Sequence, residues 1–169
     1  MARKRQVLKA TLLIVGEGAH EKAFLQYLKS LYDHRESGQT IKVDAASGGS
    51  PIEIIDDTIR KNNHAEYDRK VILLDTDVVI KQQDRDKARK HKIELIESTP
   101  ICLDGMLLDL LGHNISATSS ATDCKHRLHA LLNGDPTSIA SYSALFPINI
   151  LNATTKPQIQ RLISLLKNE

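Results

Sequence analysis

Two pairs of carboxylates stand out by type and spacing. Glu17 is bracketed by glycines in Val15-Gly16-Glu17-Gly18, and Glu21 follows four residues later; Asp75 and Asp77 flank Thr76 after another apolar run. Each pair has an ordinary structural reading. An acid in the first turn of a helix is favoured by the macrodipole, and Asp after a strand is common turn material. Together they point further. Residues two apart face the same side if a strand continues, and residues four apart share a helix face if the turn is already helical. If the two apolar runs are neighbouring strands, all four carboxylates meet at one sheet edge. Crowded like charges raise one another's pKa and destabilise the fold. A divalent cation removes that repulsion, and an oxygen-only donor set favours Mg²⁺ or Mn²⁺ over Zn²⁺. A site that keeps open water positions suits phosphodiester chemistry, where the metal polarises a phosphoryl oxygen, activates water or stabilises a leaving oxygen.

A rival reading takes Gly16-x-Gly18-x-x-Glu21 as a broken dinucleotide fingerprint with Asp44 as its ribose-binding acid. Glu21 stands where the third glycine belongs, and a carboxylate there opposes the pyrophosphate. The phosphate-loop pattern Gly-x₄-Gly-Lys-Ser/Thr does not occur.

The elements that must position these residues follow from pattern. Residues 8–15 and 70–74 are apolar and β-branched, as in strands buried on both faces. Shorter strands are expected at 40–44 and 92–97. Between them, residues 19–32 carry Ala23, Phe24, Tyr27, Leu28 and Leu31 at helical spacing. Ser50-Pro51-Ile52-Glu53 is a capping box opening a helix to about residue 63. A charged helix is expected over 84–91, and a leucine-rich one ends at Gly112. Strand–helix repeated four times with short loops predicts an α/β fold: a parallel sheet of about four strands with helices on both faces. Beyond 112 the chain changes character. Residues 113–123 read as a loop, 121–133 as a helix, 139–145 as a short helix stopping before Pro147, and the stretch from Pro157 as a last amphipathic helix. The expected organisation is a single domain over 1–169, with an α/β core at 8–112 and a mostly helical part at 113–169 packed upon it.

Composition narrows the class. The chain has 169 residues, 41% hydrophobic and 26% charged, with aromatics at only 4%, so aliphatic side chains must build the core. Apolar runs reach only about five residues, far short of a membrane span, and the basic start lacks a signal-peptide pattern. The expectation is a cytoplasmic protein without membrane attachment. Cys102 and Cys124 read as small core residues. Net charge is only +2, but residues 81–92 hold six Lys/Arg against two Asp, and Arg3, Lys4 and Arg5 add to the N-terminus. Lys81, Arg85 and Arg89 are therefore candidate nucleic-acid contacts, although such a run also suits a solvated helix.

Three motifs in order, Val15-Gly16-Glu17-Gly18-Ala19-His20-Glu21, Leu74-Asp75-Thr76-Asp77 and Glu97-Ser98-Thr99-Pro100-Ile101-Cys102-Leu103-Asp104-Gly105-Met106, resemble the Toprim domain, most closely its RloB-like and OLD-type branch. The resemblance covers about residues 10–112 and implies a Toprim-like (Rossmann-like) sheet and a metal-dependent nucleic-acid enzyme in a bacterial or archaeal defence or repair setting. By motif position Glu17 would be the acid/base or metal-bound glutamate, Asp75 and Asp77 would carry the metal, and Glu21 would be the extra glutamate of a two-metal site. Ser98 and Asp104 would line the site, Asp104 as a further ligand. The family usually has Glu followed by Trp there, whereas this chain has Asp104-Gly105-Met106. His20, where relatives often have Thr, would touch a phosphate or orient Glu17. A basic residue to neutralise transition-state charge is expected from the C-terminal part, and Lys125, beside His126 and Arg127, is the candidate. The leading expectation is a Mg²⁺/Mn²⁺-dependent nuclease acting on DNA or RNA, with a homo-oligomer open. The alternatives are a nucleic-acid-binding subunit that depends on a partner ATPase, and a primase-like nucleotidyltransferase.

Overall fold

The computed structural model describes residues 8–169, so Arg3, Lys4 and Arg5 lie outside the described residues. Four strands, β1 (Ala10–Gly16), β2 (Gln39–Ala45), β3 (Arg69–Asp75) and β4 (Ile93–Ser98), form one all-parallel sheet in the order β2-β1-β3-β4. The crossovers are α1 (Ala19–Tyr32), α2 (Pro51–His64) and α3 (Gln82–Lys90), and α4 (Leu103–Leu110) follows β4. This is the α/β architecture expected from the strand–helix repetition.

Alternation along the strands divides the core into two layers. Leu12, Ile14, Val71, Leu73 and Ile96 pack with α1 and α4 on one face. Leu13, Val15, Ile72, Leu74 and Ile93 pack with Ile54 and Ile55 of α2 and Ala88 of α3 on the other. With both faces covered, the strands read as continuous apolar runs.

The C-terminal part adds α5 (Ala121–Leu131), a 3₁₀ turn (Ile139–Tyr142), α6 (Ile148–Ala153) and α7 (Pro157–Lys167). All of these contribute buried side chains to the α1/α4 layer. Five of the six aromatics collect here, Tyr67 lying in the other layer. Tyr142 and Phe146 lie against Phe24, and the Tyr27 hydroxyl donates to the Phe146 carbonyl at 2.7 Å. The helix expected over 139–145 is only a 3₁₀ turn, and the sequence reading missed α6. Pro147, read as a stop, instead stands immediately before the first turn of α6 with φ −63°. A proline's fixed φ is as compatible with the start of a helix as with its end. Among the described residues no helix is long and apolar enough to cross a membrane.

The sheet order matters for the site. From β1 the chain runs outward to β2, then crosses back to β3 on the other side of β1. The loops leaving β1 and β3 therefore diverge, which opens a crevice at their carboxyl ends, the usual ligand position in open parallel sheets.

Candidate active site

Glu17 and Asp75 stand at that crevice. Gly16 ends β1 in close contact with α1: a Cβ there would fall 2.5 Å from the Glu21 Cβ. Gly18 precedes α1 in extended backbone, φ −149° and ψ −163°. The glycines thus serve close approach rather than a left-handed turn. Because α1 begins at Ala19, Glu17 lies outside the helix and does not share its face with Glu21. Glu21, buried in the first turn, accepts the Gly18 N–H through Oε2 at 2.8 Å. Glu17 reaches across, its Oε2 accepting the Asp75 N–H at 3.2 Å.

Asp75 is the last residue of β3, and its Oδ1 accepts the N–H of Leu103, the first residue of α4, at 2.9 Å. The strand stops there, so Asp77 does not continue the Asp75 alternation; it is exposed in the following loop. Thr76 ties that loop to the one after β4: its N–H donates to the Ile101 carbonyl at 2.8 Å and its hydroxyl to the Ser98 carbonyl at 2.9 Å. Ile101 holds φ +70°, a costly conformation for a branched residue. Ser98 pairs in register with Asp75 and so shares its sheet face. Its side chain is wholly buried, and its hydroxyl has no hydrogen-bond partner among the described residues.

Electrostatics follow from this crowding. Burial, then the charges of Glu21 and Glu17, push the Asp75 carboxyl up to about 8, against the pull of the Leu103 N–H. Burial also raises Glu17; the Asp75 N–H opposes the rise, Glu21 and Asp77 add to it, and Lys125 opposes it. Lys125 is thereby brought within electrostatic reach of Glu17, although it lies beyond the α/β core in sequence. The element that brings it is α5, which packs on α4.

One turn further along α5, His129 Nε2 stands 3.3 Å from Oδ1 of the buried Asp104. The His20 ring meets His129 edge-on, with centroids 4.8 Å apart. Asp104, expected as a metal ligand, thus has a protein partner. In sequence His129 stands three from His126 on one helix with no evident partner; the partner, Asp104, comes from α4.

No known protein family, curated protein or solved structure matches the chain. The site must be read from its own geometry. Among the described residues no three His, Cys, Asp or Glu side chains already form a metal cage. Mg²⁺ does not require one, because it is commonly held by one or two carboxylates, waters and substrate phosphate. The donors fit: Glu17, Glu21 and Asp75 each give one oxygen to a backbone N–H and retain the other.

The basic run begins where the loop after β3 enters α3. Lys81 is exposed at the start of α3, Arg85 is paired with Glu97, and Arg89 donates to Asp86 at 2.9 Å. Helix α3 packs on the sheet face opposite α4 and α5.

Proposed function

We propose that the crevice at β1 and β3 is the centre of a metal-dependent phosphodiesterase acting on nucleic acid, a Toprim-like nuclease. The observation that carries this reading is Asp75. A carboxyl driven to about 8 by burial and by Glu21 and Glu17 is poorly placed as a structural group and well placed as a cation ligand. Asp75 and Glu21, with Asp77 from the following loop, would hold Mg²⁺ or Mn²⁺, which would supply Lewis-acid polarisation of the phosphoryl group. Glu17, whose pKa is raised above the ordinary carboxylate value mainly by burial, is the proton donor to the departing oxygen. Lys125 opposes charge growing on the phosphoryl oxygens. The Ser98 hydroxyl, buried and unpartnered, gives the same sheet edge a hydrogen bond that awaits a ligand.

The test is cleavage of DNA and RNA panels with Mn²⁺ by the purified protein. At least one class should be cut, and Asp75→Asn should abolish the cut; cleavage that survives this change contradicts the reading. A second reading is a subunit that acts only with a partner such as an ATPase. It is favoured by Val78 and Val79, 49% and 77% exposed directly beyond Asp77. Silence alone, with cleavage appearing when the partner is added, would select it.

A further inference from the structure

The carboxylate set does not account for the cluster that α5 places over the start of α4. Asp104 is only 4% exposed, in the first turn of α4. A buried carboxylate needs a partner, and His129 supplies it through Nε2 at 3.3 Å. With Nε2 turned to the carboxylate, Nδ1 is the ring's remaining nitrogen. His20 from α1 closes one side of the ring. The dyad borders the carboxylates: Leu103, the neighbour of Asp104, donates its N–H to Asp75, and His20, the neighbour of Glu21, packs on His129.

From this geometry we infer that His129 is the general base of the hydrolysis and Asp104 its positioning residue, rather than a metal ligand. The inference rests on the phosphodiesterase reading above. A carboxylate on one imidazole nitrogen fixes the ring and its tautomer, leaving the other nitrogen to accept a proton, the arrangement by which His–acid pairs activate nucleophiles. The step balances: Nδ1 takes a proton from water as the water oxygen bonds to phosphorus, the bond from phosphorus to the leaving sugar oxygen breaks, and that oxygen takes the Glu17 proton. Solvent exchange then resets both groups. The protonation state suits the role. Burial lowers the His129 pKa; Asp104 opposes that, and His20 and Lys125 add to it, so the ring is neutral near neutrality. Asp135, in the loop after α5, also faces His20 and His129.

Two measurements decide the matter. Long-range ¹H–¹⁵N NMR of the metal-free protein, with His129 assigned by its loss in His129→Gln, should show the Nε2–H tautomer in wild type and its loss in Asp104→Asn. In the Mn²⁺-supported cleavage assay, His129→Ala and His129→Gln should lose about 10²-fold or more in kcat with KM little changed. Added imidazole should restore part of the His129→Ala loss, and in both variants the His129 contribution to the acid limb of the pH–rate profile, measured at saturating Mn²⁺, should be lost. An Nδ1–H tautomer in wild type, or cleavage by His129→Gln at the wild-type rate, overturns the assignment. So does a loss in His129→Ala that imidazole does not restore. A wild-type protein that cleaves nothing contradicts the phosphodiesterase reading and the base role with it, while the tautomer still decides whether Asp104 holds the ring.

Discussion

Replacing Asp75 by asparagine in the metal-free protein isolates the repulsion built into the crevice. Asparagine keeps the shape and the acceptor oxygen for the Leu103 N–H but carries no titratable proton. The wild-type carboxyl is raised from its ordinary 3.8 to about 8. The folded state therefore holds a proton that the unfolded chain has released, so this contribution to stability is complete below 3.8 and is lost as pH climbs toward 8. Each pH unit in that window costs about 1.4 kcal/mol. Between about pH 5 and about pH 7 the full effect is about 2.7 kcal/mol, and partial solvent access reduces it to about 1–2 kcal/mol. Urea unfolding with chelator present at the two pH values is the assay. Wild type should lose about 1–2 kcal/mol more than Asp75→Asn on going to the higher pH. Parallel pH dependences, or a wild type that gains relative to the variant, would refute the reasoning.

Gly16→Ala should destabilise the protein by about 1–3 kcal/mol in thermal unfolding, because the new Cβ meets the Glu21 side chain and the α1 backbone. Ser98→Ala removes a buried hydroxyl without a partner; unfolding free energy should stay level or rise by up to about 1 kcal/mol, while cleavage falls. Lys125→Ala, at an exposed position, should leave stability within about 0.5 kcal/mol and lower kcat by about 10–10³-fold in steady-state kinetics.

The α/β core was legible because both faces of the sheet are covered, so Leu12–Val15 and Val71–Leu74 carry an unbroken apolar signal. The capping box at Ser50 and Glu53 set the start of α2, and Glu53 accepts the Ser50 N–H as that pattern requires. The placement of Glu17 with Asp75 was readable only conditionally. Strand order is a long-range property, and no local pattern states that β1 lies beside β3. The close approach at Gly16 was not legible for a related reason, since it depends on where α1 lands. The Asp104–His129 contact was beyond reach of spacing rules, because it requires α5 to lie against the first turn of α4. Asp77 shows the limit of period-2 reasoning: alternation ends with the strand, and β3 ends at Asp75.

The most direct measurement of the central claim is calorimetric titration with Mn²⁺ near neutral pH, in two buffers of different ionisation enthalpy. If Asp75 holds its proton until a cation arrives, wild type should bind Mn²⁺ and release about one proton. Asp75→Asn should bind far more weakly, with no matching release. Wild-type protein that takes up no Mn²⁺, or a variant that binds with the same affinity and proton release, would contradict the account.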